Sequence, residues 1–331
     1  MSAVATTDRR AAAGRAAPWV LGAVALGAYL VARPWLVDGF STGTAQAWMT
    51  VFIAIVLQAM PFLVLGVVLS GFLAAVVSPA ALARVLPKRD AAAVVVAGGA
   101  GMALPGCECG AVPVAGRLIG GGVPAAAALT FLLAAPAINP IVLVSTATAF
   151  PGQPELVLAR FLASLFTALA MGWLWLRLGK DHGFERLIAR SQQTEVVGRR
   201  WRTFTEAASH DLLHAGGWLV VGAGAAASIQ VLVPTTVLDR IADLGPLSVI
   251  GLGVLAVILA VCSEADAFVA TSFTAFSPTA RLAFMVVGPA VDIKLIAMQH
   301  GTFGARFTRV FAPLTFAVAI VAASIAGAVL L

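Results

Sequence analysis

The sequence predicts an all-α polytopic membrane protein built as two structural repeats, and three observations carry that prediction. Of the 331 residues, 60% are hydrophobic and only 11% charged, against roughly 45–50% and 25% in soluble domains. Apolar stretches long enough, or nearly so, to cross ~30 Å of hydrocarbon recur along the whole chain. They are continuous rather than alternating, so their backbone hydrogen bonds must close within each segment, which selects helices and excludes a β-barrel. Finally, a shift of 153 residues carries Cys109 to Cys262, Leu129 to Leu282, Phe131 to Phe284, Pro136 to Pro289, Asn139 to Asp292 and Phe150 to Phe303 without a gap. Duplication of this kind is common in transporter folds.

Taken in order, Arg9, Arg10 and Arg15 precede an apolar run over 17–37 that closes on Arg33, Pro34 and Trp35. That ending suits a membrane interface and makes the run an anchor with its N-terminus inside. A second helix is expected over 47–78, kinked near Pro61, and the basic residues Arg84, Lys88 and Arg89 after it place the next loop in the cytoplasm. Residues 91–104 are apolar but too few to span alone, and they lead into Cys107, Glu108, Cys109 and Pro113. The expectation is a broken or re-entrant helix that stops near mid-membrane and offers the cysteines to a cavity.

Gly120, Gly121 and Gly122 permit a turn before a helix opened by Pro124. Pro136 and Pro140 break it, because neither has an N–H to give the carbonyls of Leu132 and Pro136, and Asn139 is the nearby polar group that could compensate. Residues 154–178 form a full span ending on Trp173, Trp175 and Arg177, an interfacial ending. The polar segment 179–215 reads as a cytoplasmic loop; His210 and His214, four apart near its end, lack a third ligand and read as a solvated face. Further spans follow at 216–233, 246–262, 281–298 and 306–331. The chain thus divides into an N-terminal tail with a first membrane helix (1–46), a first repeat (47–178), the loop (179–215) and a second repeat (216–331).

The loop at 234–245 carries Asp239, Arg240 and Asp243 where its first-half counterpart is basic, and this reversal favours inverted repeats with 234–245 facing outward. A net charge of +6 does not signal nucleic acid, because the basic residues cluster at the ends of apolar segments. Gly222 to Ala227 resembles a dinucleotide fingerprint but has no βαβ setting, and no phosphate-binding loop is present, so no cofactor is expected. The small residues there serve close helix packing.

Three cysteines inside or abutting apolar segments exclude a secreted disulfide framework, so their chemistry is local. A charged side chain in the bilayer core costs about 2.5–3.5 kcal/mol on insertion scales, which marks Glu108, Glu264, Asp266, Asp292 and Lys294 as a site. Soft thiophiles such as trivalent arsenic prefer sulfur, so Cys107, Cys109 and Cys262 could offer three thiolates to one centre, with Asn139 and Asp292 as the other substrate-binding residues. Glu108, Glu264, Asp266 and Lys294 could move protons as cargo leaves. Pro113, Pro136, Pro140 and Pro289 are the helix-breaking positions. The rival is a thiol-disulfide carrier pairing Cys109 with Cys262, which requires Cα atoms within about 7 Å.

Four stretches together resemble a bacterial family: Cys-Glu-Cys-Gly-Ala-Val-Pro-Val at 107–114, Phe-Leu-Leu-Ala-Ala-Pro-Ala-Ile-Asn-Pro at 131–140, Cys-Ser-Glu-Ala-Asp-Ala-Phe at 262–268 and Gly-Pro-Ala-Val-Asp-Ile-Lys at 288–294. They look like the predicted-permease family that includes YraQ-type proteins and the organoarsenical efflux permease ArsP, over roughly residues 47–331. The resemblance implies a multi-pass permease of the bacterial inner membrane, a transporter rather than an enzyme, exporting trivalent arsenicals in its best-known branch. Its partners would be the lipid bilayer and a small thiophilic solute, with a homo-oligomer left open.

Overall fold

The structure is a computed structural model that describes residues 43–76, 87, 89–102, 107–178, 184, 200–232 and 245–331. The expected anchor at 17–37, the loop residues Arg84 and Lys88, most of 179–199 and the loop 234–244 lie outside the described residues.

The described chain is helical and, among those residues, contains no strand. Its elements are α1 (Gly43–Val76), α2 (Asp90–Gly101), α3 (Glu108–Gly120), α4 (Ala125–Ala137), α5 (Pro140–Ala149), α6 (Pro154–Leu178), α7 (Arg200–Leu232), α8 (Ser248–Leu259), α9 (Asp266–Thr271), α10 (Pro278–Ala290), α11 (Ile293–Phe303) and α12 (Ala305–Leu330). A short 3-10 turn, Gly245–Leu247, precedes α8. Six spans, counting α4–α5 and α10–α11 as one each, are long and apolar enough to cross a membrane. At ~1.5 Å per residue, α2 is about two-thirds of a bilayer core in length, too short to span alone as expected of 91–104, and α3 is of similar length. The helix expected from Gly216 starts instead at Arg200, so residues assigned to the polar loop already carry helical structure.

Some element boundaries coincide at the 153-residue shift. Shifted by 153, α4 falls on α10 residue for residue, and the starts of α5 and α6 fall on or within two residues of those of α11 and α12. Packing repeats with them: α2 against α4 and α6 is matched by α8 against α10 and α12, and α3 against α11 by α9 against α5. The halves meet directly where α6 lies against α12 and α4 against α10.

Burial separates the spans by role. The broken spans are 78% and 83% buried, whereas the other four are 22–50% buried, so the broken helices form the centre and the unbroken ones turn apolar faces outward. Those outward faces carry Leu57, Phe72, Phe166 and Ile325, as a hydrocarbon solvent allows. Trp175, expected at the interface, is instead 2% exposed and packs edge-on against Phe307 and Phe311 of α12. Trp173, two residues earlier on the other face, keeps the exposed position and donates to the Ala91 carbonyl.

Two glycines allow the approaches on which the centre depends. Gly66 of α1 lies against Gly110 of α3, where a Cβ would collide with backbone. Gly222 of α7 lies over Lys294 of α11, and a Cβ there would stand 2.6 Å from the lysine Cα. This is the close packing expected of small residues on a membrane helix.

Candidate functional site

The centre is assembled from helix ends. Cys107 caps α3 in an extended conformation and Glu108 is its first residue, where the positive end of the helix dipole favours a carboxylate. Pro113 lies inside α3, which runs on to Gly120, so it does not break the helix as expected. A proline there has no N–H to donate to the carbonyl four residues back, which is that of Cys109. Pro136 and Pro289 likewise lie inside the last turns of α4 and α10, and the breaks follow them. Pro140 occupies the first position of α5, where proline is favourable.

At the first break Asn139 caps α5: its Oδ1 accepts from Val142 N at 3.0 Å and its Nδ2 donates to Ala135 O at 2.8 Å. The amide compensates a freed carbonyl, as expected, but that of Ala135 rather than Leu132 or Pro136. At the second break Asp292 caps α11 through Oδ1, accepting from Leu295 N at 2.6 Å. Its other oxygen stands 2.9 Å from Lys294 Nζ.

Lys294 is the hub. Its ammonium lies 2.7 Å from Glu108 Oε1 and donates to Ala260 O at 2.7 Å, and Lys294, Glu108 and Asp292 are all fully buried. Ala260 is the residue after α8 and is left-handed at φ 48°, a conformation costing a non-glycine about 1–2 kcal/mol. The lysine therefore ties a strained corner of the second half to α3 of the first. Isolated charges here would each carry a penalty of several kcal/mol; as a cluster, one cation is shared by two anions.

The three cysteines gather against this hub, all free and buried. The ligand atoms of Cys107, Glu108 and Cys109 lie within 4.8 Å of one another, and among the described residues this is a group with metal-ligand spacing. The Cys107 thiol interacts with those of both Cys109 and Cys262. The partner of Cys262 is thus Cys107, whereas the 153-residue shift pairs it with Cys109.

Asp266 does not join the hub. It opens α9 and pairs with Arg160 of α6 at 2.7 Å, both essentially unexposed. The same guanidinium donates to Thr146 Oγ1 at 2.7 Å and to Ser263 O at 3.1 Å. Arg160 is absent from the residues that the motifs select; the one signal for it is an arginine seven positions into an apolar helix, well short of the span's end. Glu264 is partly buried and accepts from Ser263 Oγ at 3.4 Å.

A third cross-half ion pair, Arg117–Asp211 at 3.0 Å, holds the last turn of α3 to α7, and Ser70 of α1 donates to the same carboxylate at 2.6 Å. His214 bonds the Gly301 carbonyl at 2.9 Å and His210 stacks on it, so the two imidazoles serve helix contacts.

Comparison with known proteins agrees with this architecture. The profile of a family described as "Predicted permease" matches residues 44–328. The UPF0718 protein YcgR of Bacillus subtilis (strain 168) is 36% identical over 278 residues, 83% of this chain and 94% of its own. A protein of Streptococcus mutans serotype c (strain ATCC 700610 / UA159), described as a candidate subunit of a two-component membrane permease complex, is 33% identical over 264 residues, 78% of this chain and 88% of its own. No solved structure matches the chain at a significant level. With the fold, six membrane-length spans among the described residues and a family match over most of its length, this multi-pass bacterial membrane protein belongs to the predicted-permease family.

Proposed function

We propose that this permease exports a small thiophilic solute, with trivalent organoarsenicals the first candidates, through the thiol cluster at its centre. The observation that supports the reading is a group of three free, buried thiols, with Cys107 in reach of both others, set beside a carboxylate. Trivalent arsenic is a soft acceptor that prefers sulfur. A species RAs(OH)2 would exchange both hydroxyls at two thiols: two As–S bonds form, two As–O bonds break, and the thiol protons leave in two waters without change of oxidation state. Asn139 and Asp292 are the polar groups we assign to the helix breaks flanking the cargo path.

That exchange moves no net charge, so we assign coupling to a proton gradient to Glu108 and Lys294 in the hub and to Glu264 and Asp266 near it. We also read the halves as inverted repeats. Among the described residues each half holds three full-length spans besides its short helices, and an odd number of crossings would turn the second copy over. Labelling introduced cysteines at 84–90 and at 234–245 from either side of the membrane tests this; labelling of both from one side would overturn it.

The cargo test is resistance. Cells expressing the wild type should survive phenylarsine oxide, and Ser in place of Cys107, Cys109 or Cys262 should abolish survival at unchanged protein abundance. Wild-type protein that confers no resistance to any trivalent arsenical would remove this cargo and leave the permease.

The contact between Cys107 and Cys262 favours a second reading, a membrane thiol-disulfide carrier using that pair rather than Cys109 with Cys262. Alkylation after acid quenching decides. An oxidised fraction that responds to a thiol reductant supports the carrier, whereas reduced thiols shielded by added phenylarsine oxide support cargo binding.

A further inference from the structure

We infer that Arg160 is a positioning residue that holds the Cys262 thiol against Cys107, and so sets whether the centre presents two thiols or three. Cys107 and Cys109 stand on one rigid element, the start of α3. Cys262 arrives from the other half on the irregular segment between α8 and α9, which has no helix of its own to fix it. Turn hydrogen bonds from Ala265 N and Asp266 N to Cys262 O, at 2.9 and 3.0 Å, make the segment from Cys262 to Asp266 a single tight loop. Whatever fixes Ser263 and Asp266 therefore fixes Cys262.

Arg160 fixes both. One terminal nitrogen reaches Asp266 Oδ2 and the Ser263 carbonyl, and the other reaches Thr146 on α5. Three pieces of chain, α5, α6 and the cysteine loop, thus converge on one guanidinium, and two belong to the half opposite Cys262. Planar, multiply donating geometry is the property that distinguishes arginine from lysine. Both partners are buried, at 0% and 1% exposure, so water does not compete for the pair. The loop's other tether is the Lys294 bond to Ala260 O, two residues before Cys262. That bond holds the loop's start, and Arg160 holds its end.

The consequence for cargo rests on the thiol-site reading above, but the geometry of the third thiol does not. With this Arg160 latch in place, a centre with three exchangeable hydroxyls could meet three sulfurs; without it, Cys107 and Cys109 remain as a pair. Arg160 need not touch cargo in either case.

Disulfide mapping in membrane vesicles of the full chain tests this without cargo. Copper-phenanthroline, the added oxidant, takes two electrons from a thiol pair and leaves an S–S bond, and peptide mass spectrometry separates the link from Cys107 to Cys262 from that between Cys107 and Cys109. In the wild type the long-range link should dominate. Arg160→Gln should shift the ratio towards the short-range link by about tenfold, within the range typical of coupling between sites. Asp266→Asn should act in the same direction, and Thr146→Val, which removes one arm of the fork, should shift it by roughly two- to threefold. Arg160→Lys should fall between Gln and wild type, because an ammonium keeps the charge but not the fork. Arg117→Gln removes a cross-half ion pair elsewhere and should leave the ratio unchanged. An unchanged ratio in Arg160→Gln or Asp266→Asn, or an equal shift in Arg117→Gln, would overturn the inference. If phenylarsine oxide resistance fails while the ratio shifts as expected, the cargo reading falls and the latch stands.

Discussion

At Asn139 and at Asp292 the chain makes the same move: an apolar helix ends within three residues of a proline, and a polar side chain caps the next helix. The two breaks are satisfied differently. The Asn139 amide accepts from Val142 N and donates to Ala135 O, so a neutral group caps the first break. The Asp292 carboxylate has no donor to offer; one oxygen caps α11 and the other turns to Lys294. Lys294 in turn needs more than one anion's worth of company and finds Glu108 in the other half. Ile141, the first-half counterpart of Lys294 at the 153-residue shift, is 43% exposed on an outward face. The charge is carried in the half whose break is packed against a carboxylate from outside it. The lesson is that a carboxylate cap, through a lysine, also connects the halves.

Substitutions at the two breaks can dismantle that contrast. Lys294→Met should have the largest effect, since it leaves Glu108 and Asp292 buried without their cation, a loss of about 3–5 kcal/mol. A thermal-shift measurement on detergent-purified protein should show it, and a melting temperature within error of the wild type would mean the three groups are not a charged cluster. Next comes Asn139→Asp, which gives the first half the second half's cap without its lysine. An unpaired buried carboxylate, together with the lost donor to Ala135 O, should cost about 2–3 kcal/mol at neutral pH. Because protonation restores a donor and removes the charge, this deficit should shrink as pH falls through the carboxylate range, and a deficit that grows on acidification would refute the account.

Asp292→Asn reverses the exchange and should be milder, about 1–2 kcal/mol, because asparagine caps as well as aspartate and Lys294 retains Glu108. Stability should fall less than in Lys294→Met while transport falls with it; a stability loss equal to that of Lys294→Met would show that Glu108 does not share the lysine. Smallest should be Ser277→Ala, which removes the N-cap bond to Ala280 N at the start of α10 and should cost about 1 kcal/mol. It lies outside the hub, so transport per folded molecule should stay at the wild-type level.

Much of this was legible in one dimension. The spans at 154–178 and 306–331 were readable to within a residue because a backbone in hydrocarbon must bond to itself, so segment length and apolarity define the helix. The breaks were readable because proline removes a donor wherever it stands. Their consequence was less so: Pro113 sits within α3 without ending it, and the amide of Asn139 serves Ala135. Lys294 and Asp292, two residues apart, could be foreseen as a pair, whereas the contribution of Glu108 could not. Nor could that of Arg160, whose carboxylate partner is 106 residues away, or the burial of Trp175, which the same end of the same helix shares with an exposed Trp173.

The sequence by itself determined the helices, where they break, and that two thiols, a third thiol and five ionisable groups stand in apolar surroundings. These are properties of short segments, set by solvent transfer and by the donors each backbone position owns. Only the tertiary structure decided which charge neutralises which, and that Cys262 meets Cys107 instead of its counterpart in the other half. Such pairings depend on how α3, α6 and α11 approach one another. Those approaches are set by surfaces as distant in sequence as Gly66 against Gly110 and Gly222 against Lys294, where the absence of a side chain, rather than the presence of one, lets the charges come within reach.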